Sequence, residues 1–158
     1  MAEPSVIPVD TGVAGRQIPW SEEAEISVLS AMLIDGDAVA QAIEMVGDTS
    51  FYRESNRRIF RAMVRLYSRG EVIDVVTLSD ELKSAGELDG AGGMSNLARL
   101  VDAVPTTANI EYHCRILRDK SVLRQLIESA TDIVREAYDA PAGEVDDNAR
   151  WDDYLLYL

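Results

Sequence analysis

Apolar residues recur along this chain at intervals of three and four, the helical period. In "IPWSEEAEISVLSAMLI" Ala24, Val28, Ala31 and Met32 share one face. Ser21 stands where an N-cap belongs, and Glu22, Glu23 and Glu25 bring negative charge to the positive end of the helix dipole. Asp35 to Asp37 turn the chain into a short second helix carrying Val39, Ala42, Ile43 and Val46. A third is predicted over Glu54 to Arg69, with Ile59, Phe60, Met63, Val64 and Tyr67 as its stripe and Gly70 placed to end it. Val72 to Val76 suits a strand, but it is short and lacks a partner; a helix from Asp74 or Thr77 through Ala85, stopped by Gly86, is the better reading. "DGAGG" reads as a turn, Met94 to Ala103 as a fifth helix, and Pro105 as a breaker.

The longest pattern runs from Ala108 to about Tyr138, capped by Thr106 or Thr107 and carrying Ile116, Leu117, Leu123, Leu126, Ile127, Ala130, Ile133, Val134 and Ala137. A helix of that length spans ~45 Å, more than a compact domain of this size requires. Its far end is expected to project with the stripe uncovered, so that another arm, another chain or both must complete it. Beyond Pro141 and Gly143, Trp151, Tyr154, Leu155 and Leu158 fall at helical spacing and predict a short arm folding back. The fold class is therefore all-α: an arm over 1–17, a compact helical head over 18–106, and a long helix with a hairpin or C-terminal arm over 107–158.

Composition narrows the function. The chain has 158 residues, 28 Asp and Glu against 15 Lys and Arg, and a net charge of -13. Such a body repels a polyanion, so strong direct nucleic-acid binding is not expected. Cys114 is the single cysteine, which precludes an internal disulfide and fits a reducing compartment. No signal peptide opens the chain and no run approaches the ~18 apolar residues of a membrane span, so a cytoplasmic location and no membrane partner are expected.

Catalytic signatures are sparse. The sequence has no P-loop, and Gly90, Gly92 and Gly93 read as a turn that opens a helix. His113 and Cys114 point about 100° apart on a helix and read as packing residues rather than ligands. Glu22 with Glu25, and Glu136 with Asp139, have the ligand type for Mg²⁺ and resemble sites of all-helical nucleotide pyrophosphohydrolases. Solvated helix-end charge is the plainer account.

One departure from the acidic balance stands out in "SFYRESNRRIFR". Arg57, Arg61 and Arg65 form a row four residues apart, with Arg58 beside it. The row either pairs with the chain's own surplus of carboxylates or docks an acidic partner or phosphates.

Taken together the segments resemble the N-terminal domain of bacterial replicative DNA helicases, the DnaB family. Pro19, Ser21, Glu23, Ala24, Glu25, Val28 and Leu29 carry its opening motif, and "FYRESNRRIFRAM", "VIDVVTLSDEL", "GG" and "VPTTANIEYHCRILRDKSVLRQLI" follow in the family's order and spacing, over about Ile18 to Tyr138. The resemblance implies a helical head and hairpin, with hairpins pairing between subunits so that six chains build a collar as a trimer of dimers. It implies self-association through Leu123, Leu126, Ile127, Ala130, Ile133 and Val134. It also implies docking of the helicase-binding domain of primase, with a helicase loader as a further candidate partner. Arg57, Arg58, Arg61 and Arg65 are the candidate docking residues. No catalytic, cofactor or metal residue is expected here, since ATP and Mg²⁺ belong to the family's motor domain, which this sequence lacks. Ser30 stands for a usual glycine and Asn96 for a usual aromatic, and the sequence after Val145 departs from the family. The rival readings are a stand-alone regulatory collar that caps a helicase, and the Mg²⁺-dependent pyrophosphohydrolase.

Overall fold

A computed structural model describes residues 13–103 and 109–140. Six α-helices follow in order: α1 (Glu22–Ile34), α2 (Gly36–Met45), α3 (Glu54–Ser68), α4 (Val75–Ser84), α5 (Gly93–Asp102) and α6 (Ile110–Asp139), with a 3₁₀ turn at Asp48–Ser50. No strand occurs among the described residues.

The local signals work as their chemistry dictates. Ser21 Oγ accepts the Ala24 N–H to cap α1, and Asp35 caps α2 by accepting the Asp37 N–H. Asp74 rather than Thr77 caps α4, with Thr77 closing a reciprocal box by accepting the Asp74 N–H. The cap leaves Val72 and Ile73 in the connection and puts Val75 and Val76 in the first turn of α4, so the Val72–Val76 run forms no strand. Gly70 and Gly86 end α3 and α4 at φ +70° and +68°, where a Cβ would be strained. The residue after each donates to a carbonyl one turn back, Glu71 to Leu66 and Glu87 to Leu82.

Helix α1 lies at the centre, packed against α2, α3, α5 and α6. Besides the expected Ala24, Val28, Ala31 and Met32, it buries Glu25, Leu29 and Ser30, as a helix surrounded on several sides must. Phe51 and Phe60 add ring packing at 5.0 Å between centroids. Helix α6 is two halves in one rod. Ile110, Cys114, Leu117 and Ser121 recur on one face and are buried, where α6 packs on α1 and α2. At roughly 1.5–3 kcal/mol per large apolar side chain, that contact suffices to dock the first half. Beyond Arg124 no residue of α6 is buried, and the last fifteen residues extend ~22 Å.

Asn109 occupies the N-cap position of α6 without a side-chain capping bond. The expected caps Thr106 and Thr107, the breaker Pro105 and the arm bearing Trp151, Tyr154, Leu155 and Leu158 lie outside the described residues. Of the N-terminal arm only residues 13–17 are described, and all are exposed.

Candidate functional site

The point where α6 leaves the head is a joint built on Arg124. Residues 110, 114, 117 and 121 set the buried face of α6, and continuing that period leads to Arg124. Its Nη1 donates to the Pro19 carbonyl at 2.8 Å, and its Nη2 to Ser50 at 2.9 Å and Thr49 at 3.3 Å. The guanidinium also lies 5.7 Å from the Tyr52 ring centroid. Ser121 Oγ adds a long bond of 3.4 Å to Thr49. Partial burial pushes the Arg124 pKa down. The acceptors belong to the 3₁₀ turn and the segment leading into α1, so one side chain ties three segments together.

A buried carboxylate supports that joint from below. Glu25 is 0% exposed, and it accepts the Tyr52 N–H and, at 2.6 Å, Asn56 Nδ2. Its task is to fix the chain between the 3₁₀ turn and α3, because an anion this deep must be hydrogen-bonded. The reading of Glu25 as solvated helix-end charge is therefore corrected. Around it, Tyr52 packs on Trp20 at 5.3 Å and Arg53 lies 5.0 Å over the Trp20 ring.

Past the joint, the stripe expected to mediate self-association lies on the projecting half. Leu123, Leu126, Ile127 and Val134 are 41–48% exposed, Ala130 is exposed and Ile133 half-buried. The spacing i, i+3, i+4, i+7, i+10 and i+11 keeps all six on one side of the rod.

A model of the DnaB-like helicase N-terminal domain matches residues 17–119. The chain belongs to that family. It is 47% identical to the replicative DNA helicase DnaB of Geobacillus stearothermophilus over 76% of its length, and 42% identical to the replicative DNA helicase DnaC of Bacillus subtilis (strain 168) over 78%. It spans only about a quarter of each relative, 26% and 27%. Among solved structures, the N-terminal domain of DnaB helicase from Mycobacterium tuberculosis superposes with a TM-score of 0.75 at 40% identity, covering 80% of this chain and 91% of that one. A DnaB-like replicative helicase, solved with its interactions with primase, shares the fold at a TM-score of 0.58 and 21% identity, covering 87% of this chain and 35% of that one.

Asn96 and Ser30, the expected departures from the family pattern, fare differently in the structure. Asn96 Nδ2 donates to the Ala91 carbonyl at 2.8 Å and so fastens the turn leading into α5. Ser30 is fully buried, and its Oγ finds no hydrogen-bond partner.

The arginine row is largely engaged at home. Arg57 Nε donates to the Phe51 carbonyl at 2.7 Å. Arg61 pairs with Glu54 at 3.0 Å and Asp48 at 3.5 Å. Arg65 pairs with Glu81 at 2.6 Å and Glu87 at 3.4 Å, and Arg69 also reaches Glu81. Bonds from Arg69 and Arg65 hold the Glu81 carboxyl below its ordinary range. Arg58 lies against Gly90, with Nε 3.4 Å from Glu54 in an ion pair that lacks hydrogen-bond alignment. The four are half-buried rather than freely outward: α4 and the turn before α5 bring Glu81 and Glu87 to Arg65, the start of α3 and the 3₁₀ turn bring Glu54 and Asp48 to Arg61, and Arg57 is taken by a backbone carbonyl.

The remaining candidates are absorbed by packing. Glu22 is held by Arg99 at 2.8 Å and Arg53 at 3.5 Å, and its carboxyl is lowered chiefly by the Arg99 bond. With Glu25 turned inward, the E-x-x-E pair does not face a common ion. No cluster of three potential metal ligands exists among the described residues. Cys114 is fully buried, and burial pushes its thiol up to about 11. His113 meets Tyr112 edge-on at 5.5 Å. No helix among the described residues is long and apolar enough to cross a membrane.

Proposed function

We propose that this chain is the scaffold domain of a cytoplasmic replicative DNA helicase, working in replication by assembling copies of itself and docking primase. The observation that carries the reading is the division of α6 into a docked half and a projecting half whose apolar stripe stays 41–48% exposed at Leu123, Leu126, Ile127 and Val134. Together with Ala130 and Ile133, these residues form the self-association face, first in a dimer and then in a hexameric collar. Family membership, and the fold shared with the relative solved with its interactions with primase, support the second half of the reading. A loader is a further candidate partner. Use of Arg57, Arg58, Arg61 and Arg65 by an acidic partner requires exchange of the internal pairs they make. ATP and Mg²⁺ have no assigned residues here and belong with the motor region of the relatives.

Sedimentation velocity across concentration tests self-association, comparing the chain with a Leu126→Ser/Ile127→Ser variant. Both side chains are exposed, so the head should keep its stability. The expected outcome is concentration-dependent association, weakened by at least about tenfold in the variant. A parent chain that sediments as a monomer at every concentration overturns the self-association reading. Calorimetric titration with an isolated primase helicase-binding domain tests docking separately.

A further inference from the structure

A second concave surface lies at the opposite end of α1 from the Arg124 joint, ~20 Å away along thirteen residues of helix. The C-terminal end of α1 turns there into α2, and the connection from α3 to α4 closes the far side. Met32, Val39 and Ile73 form the floor of a groove of about 400 Å³, within the ~300–1,000 Å³ usual for binding clefts. Its walls are Ile34, Tyr67 and Val72, which are 59%, 44% and 73% exposed. Three large apolar side chains left open around one concavity are a hydrophobic patch with shape, and such patches mark interaction sites.

Charge decides the occupant. Both charged residues lining the groove are carboxylates, Asp35 and Glu71, and Asp37 and Asp74 follow within three residues. Glu71 shares its charge with Arg69 at 2.7 Å. Asp35 is bonded to the Asp37 N–H, a neutral donor. A second copy of a chain carrying -13 would bring like charge to this rim, whereas a cationic segment gains from it.

We propose that this groove docks a partner segment presenting bulky aliphatic or aromatic side chains beside lysines or arginines. The site is separate from the α6 stripe, so both surfaces can be engaged together, and its failure would leave the scaffold reading intact.

The test uses two short fluorescein-labelled helical peptides with the same Leu/Phe face, one flanked by Lys and Arg and the other by Asp and Glu. Each is titrated with the full chain by fluorescence anisotropy. The basic peptide should bind about tenfold tighter than the acidic one, the effect of two rim charges, and less so at high salt. Asp35→Asn/Glu71→Gln should cut that preference to about twofold, with α2 still capped because Asn caps as well as Asp does. Ile34→Ser/Val72→Ser should weaken the basic peptide by about tenfold or more, with the urea midpoint unchanged because both side chains are exposed. Leu126→Ser/Ile127→Ser should leave peptide binding unaffected. Equal affinities for the two peptides, no binding of either, or binding indifferent to Ile34→Ser/Val72→Ser overturns the proposal. So does self-association weakened by the groove substitutions, which would make the occupant a second copy.

Discussion

Replacing Arg124 with alanine removes the side chain that ties α6 to both the segment leading into α1 and the 3₁₀ turn. Its bonds to Pro19 and Ser50, at 2.8 and 2.9 Å, are short enough to count at about 1 kcal/mol each. The third, to Thr49 at 3.3 Å, is weak, and the contact with the Tyr52 ring adds about 0.5 kcal/mol. Arg124 is itself only half-buried, so truncating it lets water in toward the abandoned carbonyls and no full desolvation penalty is left behind. The sum is about 2–3 kcal/mol, lost from global stability if α6 and the head unfold together. Urea denaturation followed by circular dichroism measures it. Arg124→Lys should recover about one bond, since an ammonium on a single stem cannot fork across carbonyls on two segments. Spin-label distances between the head and position 138 supply a readout that stability alone does not: the distribution should broaden in Arg124→Ala as α6 loses its fixed exit direction. An Arg124→Ala chain within about 0.5 kcal/mol of the parent, with an unbroadened distribution, would refute the joint.

Three further outcomes follow from groups held within the head or against it. Glu25→Gln sets an amide donor against the Tyr52 N–H and the Asn56 amide, both now served by a carboxylate; it should cost about 2–4 kcal/mol in urea, and a neutral result would mean Glu25 is not the acceptor holding that loop. Glu81 has a folded-state pKa below its ordinary 4.5, so its pairs with Arg69 and Arg65 contribute stability above that value and lose it as pH falls further. Glu81→Gln should therefore flatten the stability profile below pH 4.5, and an unchanged acid limb would count against the cluster. Cys114, with its thiol raised by burial, should react with Ellman's reagent at mildly alkaline pH only through opening of the fold, so that its rate climbs with urea in step with the loss of stability, and a rate indifferent to urea below the transition would contradict this.

What could be read from the residues tracks the range of the forces involved. Ser21, Asp35, Gly70 and Gly86 act on neighbours a few positions away, so they placed the ends of α1 to α4 nearly to the residue. The stripe on α6 was legible for the same reason, because its period is local. The contacts that hold the site together are not local. Glu25 reaches Tyr52 and Asn56, 27 and 31 positions on, and Arg124 reaches back 105 to Pro19. Glu25 lies one turn before the buried Val28 and Leu29 and two before Met32, a register the solvated reading of Glu22 and Glu25 passed over because a carboxylate is not expected on an apolar face. Arg124 left a like trace, as a cation on the buried register of Cys114, Leu117 and Ser121. The arginine row was ambiguous because sequence showed the cations together but not that α4 lies beside them with Glu81.

The sign of a salt effect separates the two kinds of contact this chain can make. On the projecting half of α6, residues 125–139 carry Glu128, Asp132, Glu136 and Asp139 against Arg135 alone, four negative charges to one positive. Two copies meeting along Leu126, Ile127, Ala130 and Val134 bring those charges near one another, so the apolar contact forms against a repulsive margin. Raising ionic strength shortens the Debye length from ~10 Å at 0.1 M to ~3 Å at 1 M and relieves that margin, while leaving apolar burial in place. Self-association through the stripe should therefore strengthen with sodium chloride, read as a rising weight-average mass at fixed concentration. Docking of an acidic partner on Arg57, Arg61 and Arg65, or of a cationic segment beside Asp35, should weaken over the same range. Dimers that dissociate as salt rises would show that opposite charges, not the α6 stripe, hold the copies together, and would shift the search for the interface to the arginine row.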